Sequence, residues 1–406
     1  MAKGPANQRF LPYGRQTIDE ADIAAVSDVL RGELLTTGPA VEQFEAAFAN
    51  AVDARECVVC SNGTAALHLA ALVLGIGPGD TVVVPSMTFL ATANAPRLAG
   101  AEIIFADVDA NTGLLTAETF NAALERAGKT GIKAVFPVHL NGQVAPLTEL
   151  SGIAEARNIA VVEDACHALG TSYEANGASV KAGSAAHSSL ACFSFHPVKT
   201  IAMGEGGAIT SNDPKLAERM RRLRSHGMEH RAVAFTNNAL AKDASGAANP
   251  WYYEMPEIGL NYRASDIHCA LGLSQLQRLD EFVKKRRALA KLYDDALARL
   301  APLVRPIARV PGCDPVLHLY VVLIDFAGAD TSRAAVMAGL KEHGVGTQVH
   351  YIPVHSQPYY RDRYGELDLP GAMSYYDRCL SLPLFPAMSE SDVDYVVAAL
   401  GEVLGT

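Results

Sequence analysis

The sequence predicts an α/β fold: a large parallel or mixed sheet covered by helices on both faces, followed by a smaller C-terminal α/β unit. Two patterns lead there. Between residues 57 and 223, short apolar runs alternate with amphipathic stretches, the rhythm of strand, turn and helix in a doubly covered sheet. From Leu292 onward the same rhythm resumes with fewer and more widely spaced elements. Composition bounds both, since 406 residues with 49% hydrophobic and 19% charged side chains supply ample core and leave no disordered tract.

In chain order, residues up to about Gly14 read as a loosely held arm. A helix is expected over 19–32, with Ile23, Val26, Val29 and Leu30 on one face and Thr17 or Asp19 as cap, and another over 41–51. Strands over 57–59, 81–84, 103–105 and 134–138 are each followed by a helix, over 64–73, 88–99, 116–126 and 147–157. Strands over 160–162, 190–193 and 208–210 come next, then a helix over 214–223. The stretch 224–260 is irregular and rich in Ala, Asn and Gly, and reads as a mobile active-site loop. A long helix follows over 265–288, then a strand over 317–324, a helix over 333–343, a strand over 347–350 and a last helix over 390–404. The domain boundary is expected near residue 275, inside the long helix, giving units 1–275 and 276–406. In such a sheet, catalytic groups belong at the carboxyl ends of the strands.

The formal net charge of −10 argues against a non-specific nucleic-acid binder. The basic run Met220-Arg221-Arg222-Leu223-Arg224 reads as a solvated helix face, with a phosphate pocket as the alternative. The first nine residues have no apolar core of a signal peptide, and no run is long enough to span a bilayer, so a cytoplasmic protein is expected. Seven scattered cysteines fit reduced thiols. Cys57 and Cys60 form a CxxC, but on a strand they stand about 10 Å apart on opposite faces, and no second pair completes a metal site.

Chemistry concentrates around Lys199. It follows the run Ala191-Cys192-Phe193-Ser194-Phe195-His196-Pro197-Val198 and precedes Gly204-Glu205-Gly206-Gly207. One unit upstream, the apolar strand Ile159-Ala160-Val161-Val162 ends in Glu163-Asp164, with Cys166-His167 beyond. That arrangement suits pyridoxal phosphate (PLP): a Schiff-base lysine, a carboxylate for the pyridinium nitrogen, and hydroxyls and amides for the phosphate. Ser61-Asn62-Gly63-Thr64-Ala65-Ala66 opens a helix after a strand, which makes either an anion site or an ordinary N-cap. Asp164 alone fits a structural or metal-holding aspartate equally well, and His167 reads either as a support for Asp164 or the ring oxygen, or as a satisfied core histidine. Ser194 is not in a GxSxG elbow, and the glycines after Lys199 lead into a strand, so they read as a tight turn rather than a phosphate loop.

Together, Leu35-Thr36-Thr37-Gly38-Pro39, Ser61-Asn62-Gly63-Thr64-Ala65-Ala66-Leu67, Pro85-Ser86-Met87-Thr88-Phe89, Val162-Glu163-Asp164-Ala165, the Lys199 segment and Gly259-Leu260-Asn261-Tyr262-Arg263 resemble the DegT/DnrJ/EryC1/StrS family of PLP-dependent sugar aminotransferases, fold type I, over nearly the whole chain. The resemblance implies Lys199 as the Schiff-base lysine and acid/base, Asp164 on the pyridine nitrogen, Phe89 stacked on the ring and His167 flanking it. It places Gly63, Thr64, Ala65 and Ser194 at the phosphate, joined by Asn261 of the partner subunit in a homodimer with shared active sites. Phe195-His196-Pro197-Val198-Lys199, Arg224-Ser225-His226-Gly227, Ala270-Leu271-Gly272-Leu273-Ser274-Gln275-Leu276 and His350-Tyr351-Ile352-Pro353-Val354-His355 look most like the family's branch that forms UDP-4-amino-4,6-dideoxy-N-acetyl-β-L-altrosamine for pseudaminic acid. That branch implies L-glutamate as donor and a UDP-linked 4-keto-6-deoxy-N-acetyl hexose as acceptor, with a product destined for flagellin or surface glycans. Tyr13, Arg15, Thr36, His350 and Tyr351 lie in segments expected to bind substrate. The alternatives are another nucleotide-sugar 4-aminotransferase (D-sugar, perosamine or arabinose type), a sugar dehydratase of this fold, or a non-catalytic relative. The dehydratases carry histidine in place of the lysine, and Lys199 and Asp164 speak against the last two. One departure is Thr200-Ile201-Ala202-Met203 after the lysine, where the family pattern has a proline and more hydroxyls.

Overall fold

The computed structural model describes residues 10–128 and 130–406, so most of the expected N-terminal arm lies outside the described residues. Strands Glu56–Cys60 (β1), Thr81–Pro85 (β2), Glu102–Ala106 (β3), Ile132–Val135 (β4) and Ala160–Asp164 (β5) come first. A hairpin, Ser172–Ala175 (β6) and Ala178–Lys181 (β7), precedes Leu190–Ser194 (β8) and Gly207–Ser211 (β9). All but the hairpin form one seven-stranded sheet in the order β1-β9-β8-β5-β4-β2-β3. Strands β3, β2, β4, β5 and β8 run parallel, and β9 runs antiparallel to both its neighbours. The sheet is therefore mixed and covered on both faces, as expected.

Strand periodicity divides the core in two. Val58 and Cys60 pack into one apolar cluster, Cys57 and Val59 into the other, on the opposite side of the sheet. The CxxC thiols thus face apart, and all seven cysteines are free. Among the described residues no cluster could hold a metal ion, and no helix is long and apolar enough to cross a membrane. Strand β4 stops at Val135, short of the expected 138, where Pro137 has no N–H to continue a ladder. The hairpin was not expected from the sequence, although Asn176-Gly177, both at positive φ, is a strong turn signal.

Three short strands, Val304–Pro306 (β10), Tyr320–Ile324 (β12) and Cys379–Leu382 (β13), form a second antiparallel sheet, while Cys313–Asp314 (β11) pairs with β6. The strand expected over 347–350 is reduced to a single bridge, Gln348 to Ser381. The last helix, Glu390–Leu404, carries a capping box at Ser389 and packs on the helix Leu279–Leu297.

Four expectations are corrected. The described part of the arm is tied down: Leu11 is buried in the C-terminal core, its N–H donates to the Gly344 carbonyl at 2.8 Å and its carbonyl accepts from Gly346 at 2.7 Å. The first helix, Glu20–Arg31, docks not through its apolar face but through buried Asp22, which accepts from Ser274 Oγ at 2.7 Å and Gln275 Nε2 at 2.6 Å, while Ile23 and Leu30 stay exposed. The long helix is two, Asp266–Gln277 and Leu279–Leu297, broken at Arg278 with no Gly or Pro at the break. The basic run is neither a solvated face nor a phosphate pocket, because Arg221, Arg222 and Arg224 pair with Glu56, Glu257 and Glu45 at 3.2, 2.6 and 2.6 Å.

Candidate active site

The carboxyl ends of β1, β2, β5 and β8 open into one cavity of about 890 Å³. At its floor, β1 turns through Ser61 and Asn62 into the helix Gly63–Val73. Asn62 Oδ1 caps this helix by accepting from the Ala65 amide at 2.8 Å. The Ala65 amide is thereby engaged, and the Gly63 and Thr64 amides remain ahead of the i→i−4 ladder, at the positive end of the helix dipole. The turn must be glycine. A Cβ on Gly63 would lie 2.8 Å from Ser194 Cβ, and one on Gly207 would lie 2.3 Å from the Asn62 carbonyl oxygen. The glycines after Lys199 thus serve close backbone approach, as expected, and the result is a cradle of two amides and the Ser194 hydroxyl.

Asp164 stands at the end of β5, buried, with both oxygens in use. Oδ2 accepts from Thr92 Oγ1 at 2.7 Å and Oδ1 from the Cys166 amide at 3.2 Å. Thr92 spends its proton on Asp164, so at 2.7 Å from Thr88 Oγ1 it must accept in turn. These donors fix the orientation of a carboxylate that lines the cavity.

Lys199 sits on the turn after β8, its amide donating to the His196 carbonyl at 2.8 Å. Desolvation by the surrounding wall draws its pKa below the ordinary lysine value, while Cys166 and Asp164 pull the other way. Three buried histidines share that wall. His167 lies against His318 with ring centroids 4.5 Å apart and the planes tilted by 46°, and His350 Nδ1 lies 2.7 Å from Ser381 Oγ. Burial, followed by the nearby Lys199 charge, pushes His167 and His318 well below the ordinary histidine value and His350 to about 3. Both His167 ring nitrogens are engaged by other groups than Asp164: Nδ1 faces the Asn141 amide at 3.3 Å and Nε2 faces Tyr351 Oη at 3.1 Å.

Of the residues picked from the sequence, Tyr13, Gly63, Thr64, Ala65, Phe89, Asp164, His167, Ser194, Lys199, His350 and Tyr351 line the cavity. Phe89 is half-exposed, its ring centroid 5.8 Å from that of Tyr351. Arg15, Thr36 and Asn261 do not line it; all three are exposed, with Thr36 bridged to Ser265 and Asn261 to Ser225. The irregular stretch 224–260 likewise contributes nothing to the cavity of its own chain. The sequence reading missed Thr92, Asn141 and His318. Thr92 follows Thr88 by one helical turn, a spacing that could have flagged it, whereas His318 in Val316-Leu317-His318-Leu319 carries no local signal.

The residues present fit pyridoxal phosphate. The glycine-made cradle suits a phosphate, the saturated carboxylate suits a ring cation, and the desolvated lysine suits covalent attachment. The family model of DegT/DnrJ/EryC1/StrS aminotransferases matches residues 16–401. Spore coat polysaccharide biosynthesis protein SpsC of Bacillus subtilis is 39% identical over 398 residues, covering 97% of each chain. Among solved structures, Helicobacter pylori PseC, an aminotransferase involved in pseudaminic acid biosynthesis, superimposes with TM-score 0.86 at 25% identity, over 98% of this chain and 100% of that one. The PLP form of the sugar aminotransferase Spr1654 from Streptococcus pneumoniae gives TM-score 0.84 at 26% identity, over 98% and 99%.

Proposed function

The chain belongs to the DegT/DnrJ/EryC1/StrS aminotransferase family of PLP-dependent sugar aminotransferases, and on that premise we propose that it transfers the amino group of L-glutamate to C4 of UDP-2-acetamido-2,6-dideoxy-β-L-arabino-hexos-4-ulose. The observation that carries the choice of sugar is the likeness to PseC over the full length of both chains. The relation to SpsC supports a product used in surface polysaccharide, and flagellin glycosylation is the other destination we infer. SpsC also favours a second reading, in which the acceptor is another nucleotide-linked 4-keto sugar.

Bound PLP supplies an aldehyde for covalent attachment and a ring that takes up the electron pair released at the neighbouring carbon. In this reading Lys199 Nζ is the attachment point and moves the proton, since its desolvation keeps a neutral fraction available. Asp164 holds the proton on the ring nitrogen, Phe89 covers the ring, and Gly63, Thr64 and Ser194 hold the phosphate, with Ala65 contributing through the helix dipole. Tyr13 and His350 contact the sugar nucleotide.

Among the described residues no arginine lines the cavity, and Lys199 is the lysine on its wall. A nucleotide diphosphate needs stronger cations, so we place charges of the partner subunit over the mouth and the partner's Asn261 at the cofactor phosphate, in a homodimer with shared sites. Arg15 and Thr36, exposed and off the wall, belong to that same rim. We divide the chain into a cofactor unit up to about residue 275 and a smaller unit beyond it, and place the enzyme in the cytosol, in keeping with its free cysteines. The test is kcat/KM for the L-arabino 4-ulose against its D-xylo epimer at C5, with glutamate as donor. The expected preference for the L-sugar is about tenfold or more, at least about 1.4 kcal/mol of selectivity. Preference for the D-xylo sugar would overturn the choice of sugar and leave the aminotransferase standing.

A further inference from the structure

The proton on His167 can be placed from its neighbours. Its Nδ1 faces the main-chain N–H of Asn141 at 3.3 Å, and a main-chain N–H can only donate. Nδ1 must therefore be the bare nitrogen. The ring is neutral because burial holds its pKa well below the usual range, so its single proton sits on Nε2. Nε2 is 3.1 Å from Tyr351 Oη, which consequently accepts. Tyr351 has spent a lone pair on His167 and keeps its own proton. Burial and the nearby Asp164 hold its phenol well above the ordinary tyrosine value, so that proton stays on.

We propose that Tyr351 Oη is a fixed hydrogen-bond donor into the cavity, directed at an oxygen of the bound ligand, and that Asn141 and His167 are the positioning residues that set its direction. Asn141 is itself rigidly held. It occupies the left-handed region at φ 61°, its Nδ2 donates to Tyr375 Oη at 2.9 Å, and its carbonyl accepts from the His318 amide at 3.0 Å. The adjoining Gly142 admits no side chain, since a Cβ would lie 2.2 Å from the Val316 carbonyl oxygen. Buried Arg286 in turn grips the Leu317 and His318 carbonyls, both at 3.3 Å. The path from Asn141 to Tyr351 thus has one arrangement, and it ends beside Asp164 and Lys199. Bound PLP would offer its ring oxygen to this donor, and a substrate lying over it its carbonyl oxygen, and both are acceptors.

The inference rests on the cavity being the PLP site, which uptake of PLP by the wild-type chain, read by visible absorption, checks separately. The full chain is titrated with PLP as wild type, Tyr351→Phe, His167→Leu, His167→Gln and the Tyr351→Phe, His167→Leu double variant; KM for the keto sugar is then measured. If the acceptor is on the cofactor, Tyr351→Phe and His167→Leu each weaken PLP binding about five- to tenfold, the worth of one hydrogen bond. If it is on the substrate, PLP binding holds and KM for the sugar rises by the same factor. In either case the double variant loses no more than the larger single, and His167→Gln recovers most of the His167→Leu loss, because an amide can accept from Asn141 and donate to Tyr351. Wild-type values for Tyr351→Phe in both measurements would overturn the proposal, as would a His167→Gln variant as impaired as His167→Leu. Tyr351→Phe removes one oxygen and keeps the ring, so it decides the matter if His167→Leu does not fold.

Discussion

Glu163 and Asp164, adjacent on β5, point to opposite sides of the sheet and meet different partners. Glu163 turns inward, where His139 Nε2 at 2.9 Å, Ser188 Oγ at 2.6 Å and the Gly183 amide at 3.2 Å satisfy it. Asp164 reaches the cavity. The histidines on the cavity wall carry a measurable cost. His167, His318 and His350 are all held below their unfolded value of about 6.5, His350 at about 3. As pH falls through 6.5 the unfolded chain takes up protons that the folded chain refuses. Stability is therefore complete above 6.5 and declines below it. The cofactor-free protein should be less stable at pH 5.5 than at pH 7.5. Urea midpoints at pH 7.5 and 5.5 measure it, and equal midpoints would contradict the burial assignments. Asp164 was legible in the sequence because it ends an apolar strand, and Lys199 because it lies on the turn just beyond one, places where a charge needs a purpose. His318 was not, because a histidine inside an apolar run looks the same whether it meets core or cavity.

At the scale of elements, helices are joined by side chains that cap one another. Asp266 opens the helix Asp266–Gln277, yet its carboxylate accepts from the Gly38 and Ala40 amides at 2.8 and 3.0 Å, closing the first turn of Pro39–Ala51. Gly38 has no room for a side chain there, since a Cβ would lie 2.7 Å from Asp266 Oδ1. Asp266→Ala should lose about 3 kcal/mol, through two charge-assisted bonds and two stranded donors, with Asp266→Asn losing about half. Urea unfolding measures both, and an Asp266→Ala variant within 0.5 kcal/mol of wild type, about the noise of a neutral surface change, would rule the cap out. Such links explain which elements were legible. Apart from the hairpin of β6 and β7, the strands and helices up to residue 223 follow local apolar period and were found nearly in place. The fate of the basic run depends on acids far off in the chain: Glu45 lies 179 residues from Arg224. No window of local sequence contains that pairing.

At the scale of the molecule, the sheet order and strand ends give the site its place, and both followed from the alternation of strand and helix. The homodimer proposed above would complete the mouth of the cavity. Ile23, Leu30, Trp251 and Ile258 are exposed, and Asn261 is exposed and does not line its own chain's cavity. If a second copy completes the site, mixing inactive Asn261→Ala with inactive Lys199→Ala subunits should restore activity to about a quarter of wild type, since half of the dimers are hybrids and each hybrid has one site free of both changes. No recovery despite demonstrated subunit exchange would argue that each chain works alone. The position of β1 at the sheet edge also sets a timetable. Its sole neighbour is β9, with Glu56 opposite Ser211, and the glycine turn it feeds closes against Ser194. On a ribosome adding about 5–20 residues per second, β1 waits about 8–30 seconds for its partner to be made. During that interval the nascent chain holds an unpaired apolar edge and half a phosphate cradle, so cofactor capture follows sheet closure in the order of synthesis.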